Sequence, residues 1–108
     1  MNSKAILVLT ACNSVEEADA IAASLLERRL AACVNRLEGV ISMYRWKGKV
    51  RRDQETLLLI KTTEDRFKAM EQVINRQHSY ELPEILSVRI QDGSQSFLDW
   101  LIGEVQDV

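Results

Sequence analysis

Three features of this sequence predict an α+β, ferredoxin-like βαββαβ sandwich with an added C-terminal helix. Apolar runs rich in branched residues alternate with segments whose apolar residues recur at helical spacing. Two of those runs are joined by the short turn Lys47-Gly48-Lys49, which makes them an antiparallel hairpin. Each outer run is separated from the hairpin by a helical segment. All four strands then share one sheet, with right-handed crossovers and two helices on one face.

The first strand is Ala5-Ile6-Leu7-Val8-Leu9-Thr10, a continuous apolar run expected of a strand central in a sheet or covered on both faces. A helix follows from about Val15 to Leu30, with Val15, Ala18, Ile21, Ala22, Leu25 and Leu26 along one stripe. Ser14 and Glu17 form a capping box at its entry, each side chain satisfying a backbone N–H. The second strand begins at Ala32-Cys33-Val34-Asn35, bends or bulges near Gly39 and resumes over Val40 to Trp46. Beyond the turn, the third strand runs through a charged segment to Thr56–Thr62. Thr63 is placed to cap a second helix that buries Phe67, Met70, Val73 and Ile74. A turn from His78 to Pro83 leads to a fourth strand, about Glu84 to Ile90. Asp92-Gly93-Ser94 breaks the chain again, and the last helix carries Phe97, Leu98, Leu101, Ile102 and Val105.

A chain of 108 residues makes one domain, 1–108, and its 46% hydrophobic and 28% charged composition suits a globular core. A net charge of −2 argues against a nucleic-acid partner, which needs clustered positive charge. The cations gather only at Arg45, Lys47, Lys49, Arg51 and Arg52, flanking the hairpin turn. The apolar stretch Ala5–Leu9 is too short for a signal-peptide core or a membrane span, so no membrane partner is expected. Cys12 and Cys33 make neither a disulfide framework nor a Cys-x-x-Cys pair, which points to a reduced, cytoplasmic setting.

Candidate chemistry concentrates in His78-Ser79-Tyr80-Glu81-Leu82-Pro83-Glu84-Ile85, which holds the only histidine and the only proline. Proline lacks an N–H and biases its predecessor away from helix, so this is a connection between regular elements. An imidazole, a phenol and two carboxylates there are able to bind a metal, move a proton or hold a polar ligand. His78 is either a metal ligand or a loop residue satisfied by a backbone carbonyl or carboxylate. Cys12 lies just before a helix N-terminus, where partial positive charge would favour the thiolate; the alternative is a small, partly buried turn residue. Cys33, between Ala32 and Val34, reads as core. Catalysis has no recognisable residue set: there is no Ser/His/Asp arrangement, no metal-hydrolase spacing and no phosphate-cradling glycine loop. The chain is read as a non-enzyme.

Several ordered blocks together resemble one family: Arg29-Leu30-Ala31-Ala32-Cys33-Val34-Asn35, Ser42-Met43-Tyr44-Arg45-Trp46-Lys47-Gly48-Lys49, Glu55 with Leu59-Ile60-Lys61-Thr62, and His78 to Ile85. In this order and spacing they resemble the CutA divalent-cation-tolerance proteins, and Leu98-Asp99-Trp100-Leu101 resembles that family's last helix. The resemblance implies a subunit similar to the PII signalling proteins, assembled into a tight homotrimer. It also implies tolerance of copper and other divalent metals, so Cu2+ or another divalent cation, or a small ligand, is the expected guest at clefts between subunits. An alternative within the same fold is a PII-like signalling or scaffold trimer whose partner is another protein. One departure stands out. Some members linked to copper carry a cysteine just before the threonine that ends the first strand, and here that position is Leu9.

On this reading the metal ligands are His78 and Cys12. Glu55, Lys61, Tyr80, Glu81 and Glu84 either line a polar pocket or are solvated charges and interface ion pairs. Lys61 closes an apolar run with little polar company. Tyr44 and Trp46 project from one face of the hairpin, either to stack on a ligand or to cover a subunit contact. The two long strands, Val40 to Thr62, leave edges that a neighbouring subunit would satisfy.

Overall fold

The computed structural model describes residues 4–106, so Met1–Ser3 and the last two residues of the expected domain lie outside the described residues. The elements are β1 (Ala5–Cys12), α1 (Val15–Glu27), β2 (Cys33–Trp46), β3 (Lys49–Thr63), α2 (Phe67–Gln77), β4 (Leu86–Arg89) and α3 (Gln95–Glu104). A 3-10 turn, Glu64–Arg66, leads into α2. The four strands form one antiparallel sheet in the order β2-β3-β1-β4. This is the ferredoxin-like arrangement that the sequence predicts.

Residues opposite each other in an antiparallel ladder share a face, so the register sorts the side chains. Ile6, Val8 and Cys12 of β1 stand with Leu58 and Ile60 of β3. They meet Ala18, Ile21 and Leu25 of α1 and Met70, Val73 and Ile74 of α2 in one buried core. The opposite face, with Leu7, Leu9, Leu57 and Leu59, is covered only in part by α3, which buries Leu101. Leu86 and Val88 of β4 remain 58% and 53% exposed.

Four boundaries differ from the sequence reading, each for a local reason. Helix α1 ends at Glu27 instead of Leu30 because Arg29 adopts a left-handed φ of 55°. The Arg29 N–H donates to the Leu26 carbonyl and the Leu30 N–H to the Leu25 carbonyl, a Schellman closure built without glycine. The Arg29 guanidinium then reaches the Glu104 carbonyl at 2.9 Å, tying α1 to the end of α3. Strand β1 continues past Thr10 to Cys12, which pairs with Thr56. Strand β4 is only Leu86–Arg89. Thr63 precedes the 3-10 turn, and its hydroxyl donates to the Asp65 carboxylate instead of capping a backbone N–H.

The hairpin matches expectation. A bulge lies between Leu37 and Val40, with Gly39 at φ 70°. At the tip Trp46 pairs with Lys49, and both turn residues have positive φ, 49° at Lys47 and 78° at Gly48. That is the type I′ geometry suited to strand twist, in which asparagine followed by glycine is the preferred pair. Left-handed backbone costs an ordinary L-residue about 1–2 kcal/mol. Lys47→Asn should therefore raise the unfolding temperature and Gly48→Ala lower it; equal melting curves for the two variants would contradict the turn assignment.

Candidate metal centre

Helix α2 stops at Gln77 because His78 turns extended, although its N–H still donates to the Ile74 carbonyl at 2.9 Å. The imidazole swings inward and is completely buried as a side chain. Its Nε2 lies 2.8 Å from the Ala11 carbonyl, and its Nδ1 lies 3.2 Å from the Tyr80 backbone nitrogen. A carbonyl only accepts and a backbone N–H only donates, so these partners assign the proton to Nε2 and a lone pair to Nδ1. The Tyr80 ring packs against the imidazole with centroids 4.7 Å apart.

Glu17 approaches from the first turn of α1. Its backbone N–H donates to Ser14 Oγ at 3.1 Å, one half of the expected capping box; the carboxylate accepts from Asn13, one residue before the cap. Its carboxylate serves two further groups: Oε2 accepts from the Asn13 N–H at 3.2 Å and Oε1 from the Ser79 N–H at 2.8 Å. Oε2 also sits 3.9 Å from His78 Nδ1. Burial works to raise this carboxyl, but the hydrogen bonds from Ser79 and Asn13 and the nearby imidazole outweigh it, leaving it below its ordinary value.

Cys12 completes the group from the end of β1, with no exposed surface. The ligand atoms of Cys12, Glu17 and His78 all lie within 4.8 Å of one another. The helix N-terminus does not favour the thiolate here, which sets aside one of the two alternatives the sequence left open. Burial first, and then the carboxylates of Glu17 and Glu55, push the Cys12 thiol up to about 12. Cys12 is therefore a neutral thiol of the core, within a strand and not a turn.

The other expected residues divide. Tyr80 donates its phenol O–H to Glu55 at 2.6 Å. Burial and then that carboxylate raise the phenol well above its usual range. Glu55 is itself buried and lines a cleft of about 240 Å³ with Asn13, Thr56 and Glu38, beside Cys12. Tyr44 is 40% exposed and donates to Asp53 on the facing strand. Trp46 is half-buried, with the Lys47 ammonium 5.6 Å from its ring. Glu81 and Glu84 are exposed on the loop. Lys61 stands six residues along β3 from Glu55, about 20 Å at strand rise, so one chain does not bring them together. Nor does Lys61 lack polar company: its ammonium donates to Asn35 Oδ1 at 2.7 Å and faces Phe97 and Cys33. Cys33 is half-buried and not core. Sequence reading missed Glu17 as a site residue, since its capping role accounted for it; the signal lay in its position in the first turn of the helix that follows Cys12.

A ferredoxin-like domain that brings a thiol, a carboxylate and an imidazole together at one end of its sheet has a donor set able to hold a metal ion. The model of the CutA1 divalent ion tolerance protein family matches residues 6–104, and the chain belongs to that family. It is 46% identical over 95 residues to the divalent-cation tolerance protein CutA of Thermus thermophilus, covering 88% of this chain and 92% of that protein. The solved structure of the Thermus thermophilus divalent cation tolerance protein superposes with a TM-score of 0.90 at 44% identity, covering 93% and 97% of the two chains. The crystal structure of CutA1 from Oryza sativa gives 0.93 at 34% identity, covering 98% and 97%. The fold and the family read from the sequence both stand.

The Glu17 carboxylate has a depressed value when folded, so its contribution is present above the unfolded carboxyl range and is lost as pH falls through the folded value. Glu17→Gln should cost the metal-free protein about 1–3 kcal/mol at neutral pH, the scale of hydrogen bonds to a charged acceptor. The gap between wild type and variant should stay constant above about pH 5 and close on acidification below about 4.3. A gap that persists unchanged in denaturant titrations at acid pH would show that ionised Glu17 is not the source.

Proposed function

We propose that this chain is a homotrimeric, non-enzymatic protein of divalent-cation tolerance that binds a divalent metal at Cys12, Glu17 and His78. The carrying observation is the convergence of one sulfur, one carboxylate and one imidazole nitrogen, all within 4.8 Å, from three different elements. The His78 tautomer fits the role: Nε2–H is held by a backbone carbonyl, which leaves the Nδ1 lone pair, 3.9 Å from Glu17 Oε2, available to a metal that displaces the Tyr80 N–H. That is how protein imidazoles are oriented for metal ligation. A cation here would take the place of the Cys12 proton and offset the two carboxylates that press on it. Mixed sulfur, nitrogen and oxygen donors suit copper or zinc over magnesium or calcium, and Leu9 adds no ligand. The cytoplasm is the compartment this reading favours, since the thiol must stay reduced.

Nothing in the site favours catalysis by the thiol. Its proton is held by burial and nearby negative charge, and the imidazole proton is committed to Ala11. A second reading has its own observation. The Tyr80, Ser79 and Asn13 N–H groups already occupy His78 Nδ1 and both Glu17 oxygens. As a staple closing a PII-like scaffold, the same three residues would need no metal.

Calorimetric titration with Cu2+ separates the readings. Wild type should bind one equivalent per chain, release protons on binding, and weaken as pH falls. His78→Ala, Cys12→Ser and Glu17→Gln should each lose affinity on the order of 100-fold, as severe losses at metal shells do. Equal binding by wild type and all three variants would place copper elsewhere and leave the staple reading.

Assembly rests on separate observations. Leu37, Ile41, Met43 and Val50 are exposed along the hairpin, and β2 and β4 have open edges. Light scattering at micromolar concentration should return three times the chain mass. Trp46→Ala should weaken the assembly more than Trp100→Ala, and a monomeric mass for wild type would defeat the reading.

A further inference from the structure

Away from the metal centre, on the α3 face of the sheet, a second sulfur sits in a different environment. Cys33 and Lys61 are direct cross-strand partners of β2 and β3, so their side chains leave the ladder on the same side. Lys61 Nζ lies 4.0 Å from Cys33 Sγ. The ammonium is not free to wander. Asn35 Oδ1 accepts from it at 2.7 Å, and the Phe97 ring stands 5.8 Å away on the other side. Cys33 is half-buried in the single chain, whereas Cys12 has no accessible surface and a thiol pushed up to about 12. The two cysteines are thus divided, one sealed and one presented beside an amine.

We propose that Cys33 and Lys61 form a peroxide-sensitive modification site, in which Lys61 captures the oxidised sulfur as a covalent S–N bond. The oxidant is hydrogen peroxide. Cys33 sulfur, having released its proton to water, attacks one peroxide oxygen; the O–O bond breaks and sulfenic acid forms. The departing hydroxide takes a proton from the Lys61 ammonium and leaves as water. Lys61 is then the neutral amine, and its lone pair attacks the sulfenyl sulfur. The S–O bond breaks, the hydroxide takes a proton from the attacking nitrogen, and a second water leaves. Sulfur is oxidised by two electrons, the peroxide is reduced to two waters, and one proton goes to solvent. Asn35 positions the amine for this capture. It touches neither oxidant nor sulfur.

The test is mass spectrometry of the full chain after treatment with hydrogen peroxide, with dimedone present in parallel to trap sulfenic acid. Wild type should become lighter by two hydrogen atoms and regain its mass on reduction with dithiothreitol. Tryptic digestion should yield residues 30–36 joined to residues 53–66, because cleavage after a modified Lys61 is blocked. Lys61→Arg keeps the positive charge but cannot form the bond, so it should stop at the sulfenic acid and label with dimedone. Asn35→Ala should give the cross-link in lower yield with more dimedone adduct. Cys33→Ser should remain unmodified at both positions. Three results overturn the proposal: an unreactive Cys33 in wild type, dimedone labelling in wild type as strong as in Lys61→Arg, or a linked peptide joining Cys33 to Cys12.

Discussion

A buried imidazole takes the place of a strand that the sheet does not supply. Strand β4 pairs with β1 only from Ile6 to Leu9, so beyond that point the outer side of β1 has no ladder partner. Ala11 is buried there, and its carbonyl would be left unsatisfied at a cost of about 1–3 kcal/mol. His78 Nε2–H fills the vacancy. That one hydrogen bond fixes the tautomer, and the tautomer fixes where the Nδ1 lone pair points. It also sets the end of α2 and the start of the loop that carries Tyr80 to Glu55. Backbone satisfaction and ligand geometry are therefore the same constraint at this end of the molecule.

Glu17 belongs to both sides of that constraint. It closes the entrance to α1 through its own N–H and Asn13, and it anchors the loop after α2 through Ser79. A carboxylate tied to two backbone N–H groups is rigidly aimed, which serves a staple and a metal ligand equally well. The contrast between the two sulfurs follows from similar reasoning. Cys12 lies among carboxylates in the core, while Cys33 lies beside an ammonium at a half-covered surface. Burial first, and then the two carboxylates, set the Cys12 thiol apart.

Most of the fold was legible from periodicity, since apolar runs and helical stripes record which face each element buries. The hairpin was legible from its short glycine turn, although the two-residue loop that pairs Trp46 with Lys49 emerged only in the structure. Boundaries were less legible where side chains overrule local preference. Helix α1 stops at a left-handed arginine, and no glycine announces it; Arg29 holds that conformation while bonding Glu104, a residue 75 positions away. The candidate site was legible in part. His78 and Cys12 stood out by residue type, and the Tyr80 and Glu55 partnership emerged only when β3 met the loop. Glu17 was hidden by a sufficient local explanation. The Lys61 environment was hidden because Asn35 lies on β2 and Phe97 on α3, far apart in sequence.

The cationic hairpin has a consequence for the chain before it finds any partner. Arg45, Lys47, Lys49, Arg51 and Arg52 all cluster at the projecting end of two long strands whose exposed residues include Met43 and Val50. Two such tips brought together edge to edge would set neighbouring positive charges one strand spacing, ~5 Å, apart, inside the Debye length of about 8 Å at physiological salt. Charges on an edge are a known device against such pairing. A charged tip of this kind disfavours stacking of hairpins into open-ended ribbons. Only a surface that brings its own carboxylates to the tip is admitted, and the remainder of this chain, with sixteen acidic residues against nine other basic ones, offers such a surface.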